Sequence, residues 1–125
     1  MDRERGSAVA EFAMVSGLVV VLVVALVQVV LGLHVRNTLI DSAAEGARHA
    51  ALAGAGHAAG VERTRELISA GLSSSYADHV SATTVQVSGA TLVRVDVSAP
   101  LPVIGLLGPS GVLEVSGHAI QEDGP

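Results

Sequence analysis

The sequence predicts an α+β protein built on one long helix that crosses a membrane and continues into water, followed by a short helix and a small antiparallel sheet of about three strands. Three observations predict it. Residues 12–33, FAMVSGLVVVLVVALVQVVLGL, carry no formal charge. Residues 34–53 keep a helical pattern without proline, and the last third of the chain alternates apolar and polar residues in short runs closed by glycine, proline and serine.

At about 1.5 Å rise per residue, the uncharged stretch makes a helix of about 33 Å, enough for a hydrocarbon core of about 30 Å. Valine dominates it, and β-branched residues are mediocre helix formers in water. In lipid an unsatisfied backbone amide costs several kcal/mol, so the helix wins. A secretory signal has an apolar region of about 7–15 residues closed by a small-x-small cleavage site. This run is longer and leads into Gly32-Leu33-His34-Val35-Arg36, so the span is expected to stay in the mature protein, with cleavage near Ala43 or Ala44 as the alternative.

The leader, residues 1–6 (MDRERG), balances Asp2 and Glu4 against Arg3 and Arg5. Arg36 and Arg48 beyond the span match the two leader arginines, so the positive-inside rule gives a tie and leaves both orientations open. Residues 34–53 place Leu39, Ala43, Ala47 and Ala50 three or four apart, which predicts one continuous helix over 7–53, spanning first and then amphipathic in water. Ala43, Ala47 and Ala51 form a small-xxx-small ladder that lets a second helix approach closely; alanine is also the best helix former, which explains the ladder equally well.

The run AGAGHAAG ends that helix, and residues 54–60 read as a glycine-rich hinge. Its glycine spacing resembles a dinucleotide turn only superficially, because such a turn must follow a strand. Residues 61–72, VERTRELISAGL, read as a short amphipathic helix, and Ser73-Ser74-Ser75 with Asp78 as a polar loop. TTVQVS (83–88) and TLVRVDVS (91–98) alternate as strands, setting Val85 and Val87 against Leu92 or against Val93, Val95 and Val97, with a hairpin turn at Gly89-Ala90. Pro100 and Pro102 break the second strand. An apolar segment 101–107 and a Gly108-Pro109-Ser110-Gly111 turn lead to a third strand over 112–121 and a polar tail. The small water-facing domain thus occupies 61–125.

Composition narrows the functions. About 70 residues remain for that domain, near the lower limit for a self-sufficient core. Cysteine is absent, which removes disulfides and thiolate-metal sites as supports. Net charge is −5, all seven basic residues are arginines scattered along the chain, and one Tyr and one Phe leave little for base stacking, so nucleic acid is not expected as a partner. His34, His49, His57, His79 and His118 show no paired ligand spacing, so no metal site is expected. No nucleophile, base and acid form a recognisable set, so the chain is not expected to be an enzyme, and no cofactor is expected.

Glu11 is the residue that needs a reason, because an ionised carboxylate at the entry to hydrocarbon costs several kcal/mol unless paired. It could simply sit half in water at the interface. If instead the chain were cut after Gly6, Ser7 would carry a new α-ammonium one helical turn before Glu11, able to neutralise it within the chain or in a neighbour. Gly46 poses a second question, since glycine inside a helix costs about 1 kcal/mol relative to alanine. Its presence suggests close approach of another group, and the block Glu45, Gly46, Ala47, Arg48 reads as a docking face for the domain or a partner.

RERGSAVAEFAMV, the apolar span and NTLIDSAAEGARHAAL together closely resemble the TadE-like pilus assembly proteins. The matching residues are Arg5, Gly6, Ser7 and Ala8, then Glu11, Phe12 and Ala13, and later Ala43, Ala44, Glu45, Gly46, Ala47 and Arg48. The resemblance implies a pilin-like fold and a minor pseudopilin of a tight-adherence pilus, or of a related type IV pilus or secretion machine. It implies processing by a prepilin peptidase between Gly6 and Ser7, and assembly through Glu11 and Phe12. It implies a single-pass protein of the cell membrane, N-terminus cytoplasmic and C-terminal domain outside. The lipid bilayer, other pilin or pseudopilin subunits and pilus assembly proteins would be its partners. The alternative is a single-pass anchor for a small ligand-binding or regulatory domain, which would not need cleavage after Gly6. A third, an extracytoplasmic hydrolase, lacks a site.

Overall fold

The computed structural model of the chain describes residues 2–52, 55–100 and 112–121. A single helix α1 covers Asp2–Ala51, and a second helix α2 covers Gly56–Gly71. A 3-10 turn at Ser74–Ala77 leads into three strands: β1 (His79–Val87), β2 (Ala90–Pro100) and β3 (Val112–Ile120). The strands form one antiparallel sheet in the order β1-β2-β3, and both helices lie on one of its faces. The expected α+β architecture is therefore the one observed. The expected apolar segment 101–107, the turn at 108–111 and the tail beyond Gln121 lie outside the described residues.

α1 has two surfaces in succession. From Val9 to Leu33 its large apolar side chains are between 45% and 75% exposed, so they touch almost nothing else in the chain. From Val35 onward one face turns inward. Val35, Leu39, Ala43 and Ala47 join Ile68 of α2, Ala77, and Val80, Val95, Val97, Ala99 and Val115 of the sheet in one core. From Ala43 onward the buried apolar side chains on α1 are all alanines, which lets the partner backbones come close. Gly117 on β3 lies against the α1 backbone, where a Cβ would sit 2.5 Å from the carbonyl carbon of Ala43. An isolated glycine within a strand marks this kind of approach.

The structure departs from the sequence expectations in several places. α1 starts at Asp2 and not at residue 7, and β2 runs through Pro100, which pairs with Val112 instead of breaking the strand. α2 begins at Gly56, not at residue 61, so most of the expected hinge is helical. Gly56 starts it from a left-handed φ of +84°, and Gly60, which reads as a helix breaker, is buried against α1 instead. β1 begins at His79 rather than Thr83, because Val80 pairs with Val97 and faces the core. The hairpin turn falls on Ser88-Gly89, one residue early. Its φ values of +50° and +83° suit the two-residue turn that needs both central residues left-handed and matches the twist of the flanking strands. The register then pairs Val85 with Leu92 on the face away from the helices, while Val93, Val95, Val97 and Ala99 fill the core.

Candidate functional site

The residues singled out from the sequence fall into two groups along α1. Gly6, Ser7, Glu11 and Phe12 lie in its first turns, all exposed, with Phe12 74% exposed. A Cβ at Gly6 would meet nothing within 4 Å. Ser7 and Glu11 are one turn apart on the same side of the helix. The four residues thus form an uncovered stretch at the start of the apolar span, where a carboxylate, an aromatic ring and small side chains are presented outward.

The second group splits across the helix. Gly46 and Ala47 point into the domain and are buried, whereas Glu45 and Arg48 stand on the solvent side. Arg48 donates to Oε2 of Glu45 from Nη2 at 2.8 Å and from Nε at 3.2 Å. That guanidinium, by hydrogen bond first and by charge second, holds the Glu45 carboxyl below the usual carboxylate range. Both partners are well exposed, so the pair adds little to stability.

Gly46 meets a second glycine that sequence reasoning missed. A Cβ at Gly46 would lie 2.8 Å from the Gly60 carbonyl oxygen and would overlap Thr64 Oγ1, and a Cβ at Gly60 would overlap that of Ala50. The two helices cross here nearly backbone to backbone. Thr64, fully buried, donates from Oγ1 to the Gly60 carbonyl at 2.8 Å, so its hydroxyl is satisfied inside the contact. A signal for this existed in the sequence: Gly56, Gly60 and Thr64 repeat at four-residue intervals, the spacing of one small helix face.

Little else gathers into a site. His57 Nε2 and Thr84 Oγ1 are 2.8 Å apart, tying the start of α2 to β1. A shallow hollow of about 800 Å³ lies over the strands, lined by polar groups that include Asp78, His79, Ser81, Arg94, Asp96 and Glu114. Sites for small molecules are usually deep and largely apolar, which this is not. Among the described residues no group of three or more His, Asp or Glu side chains is placed to hold a metal ion.

The arrangement defines a class: a protein with one N-terminal helix long and apolar enough to cross a membrane, carrying a small α+β domain on the continuation of that helix. Among the described residues α1 is the one helix of that kind, as in a single-pass membrane protein. Residues 6–48 match the family model described as TadE-like protein, so the resemblance seen in the sequence holds from Gly6 through the span to Arg48. No curated protein and no solved structure matches the chain.

Proposed function

We propose that the chain is a minor pseudopilin-like subunit of a tight-adherence pilus, or of a related type IV pilus or secretion machine, with a structural and not a catalytic part in its assembly. The observation that carries this reading is the bare first part of α1. The domain core takes up the stretch from Val35 onward, which leaves the large apolar side chains of residues 12–33, with Glu11 at their head, for lipid and neighbouring helices. The match over residues 6–48 supports it as well.

In this reading a prepilin peptidase cuts between Gly6 and Ser7 on the cytoplasmic side, and the domain stands outside. The new α-ammonium of Ser7 neutralises Glu11 of its own chain or of a neighbour. That pairing offsets the cost of a carboxylate in lipid and sets the axial register between packed spans. Phe12 packs beside it.

Intact mass of the membrane-extracted chain, co-expressed with a prepilin peptidase from its host, tests this. Wild type is expected to lose residues 1–6, Gly6→Ala to stay uncut, and Glu11→Ala to be cut but to fail in assembly. An uncut wild-type chain would remove the pseudopilin reading and leave a membrane-anchored small domain.

A further inference from the structure

The span and the domain share one unbroken helix with no linker between them. Leu33, the last residue of the apolar run, is 54% exposed, and Val35, two residues on, is already buried in the domain core. Along the helix axis that separation is about 3 Å. The headgroup region on each side of the hydrocarbon is about 5–7 Å thick. A domain whose core starts this close to the end of the span has no room to stand clear of that layer.

The elements show which part of the domain faces the bilayer. Gly117 of β3 lies against Ala43 and Ala44, and Val93, the strand partner of Ala119, clusters with Ala50 and Ala51, so β3 runs in the same direction as α1. Val112, five residues before Gly117, is then about 16 Å nearer the membrane at about 3.3 Å per strand residue. That equals about eleven residues of helix, which brings it close to the level of Leu33. Pro100 pairs with Val112 and shares that level. α2 runs the opposite way, since a Cβ at Gly71 would lie 3.1 Å from Thr38 Cγ2. The turn after it brings Tyr76, the chain's one tyrosine, against the core cluster that contains Val35.

The lower end of the sheet therefore presents an exposed proline, a valine that is 60% exposed and a half-buried tyrosine. Exposed His34 and Arg36 stand on the helix at the same height. Tyrosine at the headgroup level and arginine reaching toward phosphates are what an interfacial belt is made of. We propose that this end of the domain, Pro100 and Val112 with Tyr76, is seated in the headgroup layer of the bilayer that α1 crosses, so that the domain meets lipid as well as water. The inference rests on α1 being a membrane span, and it does not depend on the pilus reading.

The chain has no cysteine, so single labels can be placed freely. The full chain is reconstituted in phosphatidylcholine–phosphatidylglycerol vesicles with a fluorophore at Val112→Cys, at Val87→Cys or at Leu22→Cys. Val87 is the control for exposed valine as such: it is 49% exposed and sits at the opposite end of the sheet, beside the hairpin turn. The expected result is that nitroxide lipids labelled on the headgroup quench Val112 several-fold more than Val87, while acyl-chain nitroxides quench Leu22. Leu22 quenched with Val112 and Val87 alike would overturn the seated domain and leave the span intact. Leu22 untouched by acyl-chain nitroxides would overturn the span itself, and the seated domain with it.

Discussion

Residues 12–33 and 35–51 are one helix with one set of backbone hydrogen bonds, yet they are held helical by different causes. The first stretch is rich in valine and its large apolar side chains stand exposed, and lipid keeps it helical because an amide left unsatisfied there would cost several kcal/mol. The second is rich in alanine and helical by propensity, and its role is to let α2 and β3 approach to backbone distance. The same replacement should therefore be costly to the domain beyond Leu33 and without effect on it before Leu33.

The largest contrast is expected for leucine truncation. Leu39→Ala removes a fully buried side chain from the core and should cost the domain about 2–5 kcal/mol, because a small core cannot close the cavity. Leu22→Ala, on the bare span, should leave the domain's stability unchanged. Denaturant unfolding of the full chain in detergent, followed by circular dichroism, compares the two, and equal losses would break the division.

Glycine replacement comes next. Gly46→Ala gains about 1 kcal/mol of helix propensity but forces a methyl onto Thr64 and the Gly60 carbonyl, an overpacking cost of about 1–3 kcal/mol or more. A net loss and a faster proteolytic release of α2 are expected. Gly17→Ala and Gly32→Ala meet open space and should show neither effect. Retained stability in Gly46→Ala would mean that the two helices slide apart at little cost.

The smallest effect belongs to the Glu45–Arg48 pair, on the solvent side of the packed stretch. The Glu45 carboxyl is held low in the folded chain, so its contribution is fully present above the ordinary carboxylate range and is lost as pH falls through the lowered value. With both groups exposed, Arg48→Gln should leave the unfolding midpoint within error. The same change should raise the Glu45 titration, read by NMR, back toward the ordinary range.

Much of the architecture was legible before any coordinates. A charge-free run of span length is a one-dimensional signal, and so is the two-residue alternation of TLVRVDVS. The position of Gly6, Ser7, Glu11 and Phe12 at the head of the apolar run was likewise readable, because it lies within one stretch of chain. The glycine-rich run after α1 misled, since local rules treat glycine as a breaker, whereas Gly60 is kept for its contact with Gly46. The same limit hid the face of Val85 and Val87. A one-residue move of the hairpin turn decides which side of a strand is buried, and alternation alone allows either.

By itself the sequence determined where the membrane span lies, that the rest is a helix pair and a short antiparallel sheet, and which residues stand at the head of the span. These follow from solvent, length and periodicity, which act along the chain. Only the tertiary structure decided that Gly46 faces Gly60 and Thr64, that Gly117 rides on the backbone of Ala43 and Ala44, and that Glu45 and Arg48 turn away from both. Those depend on which surfaces fit at van der Waals distance, and the absence of a side chain shows what it makes room for only when the neighbour is in place.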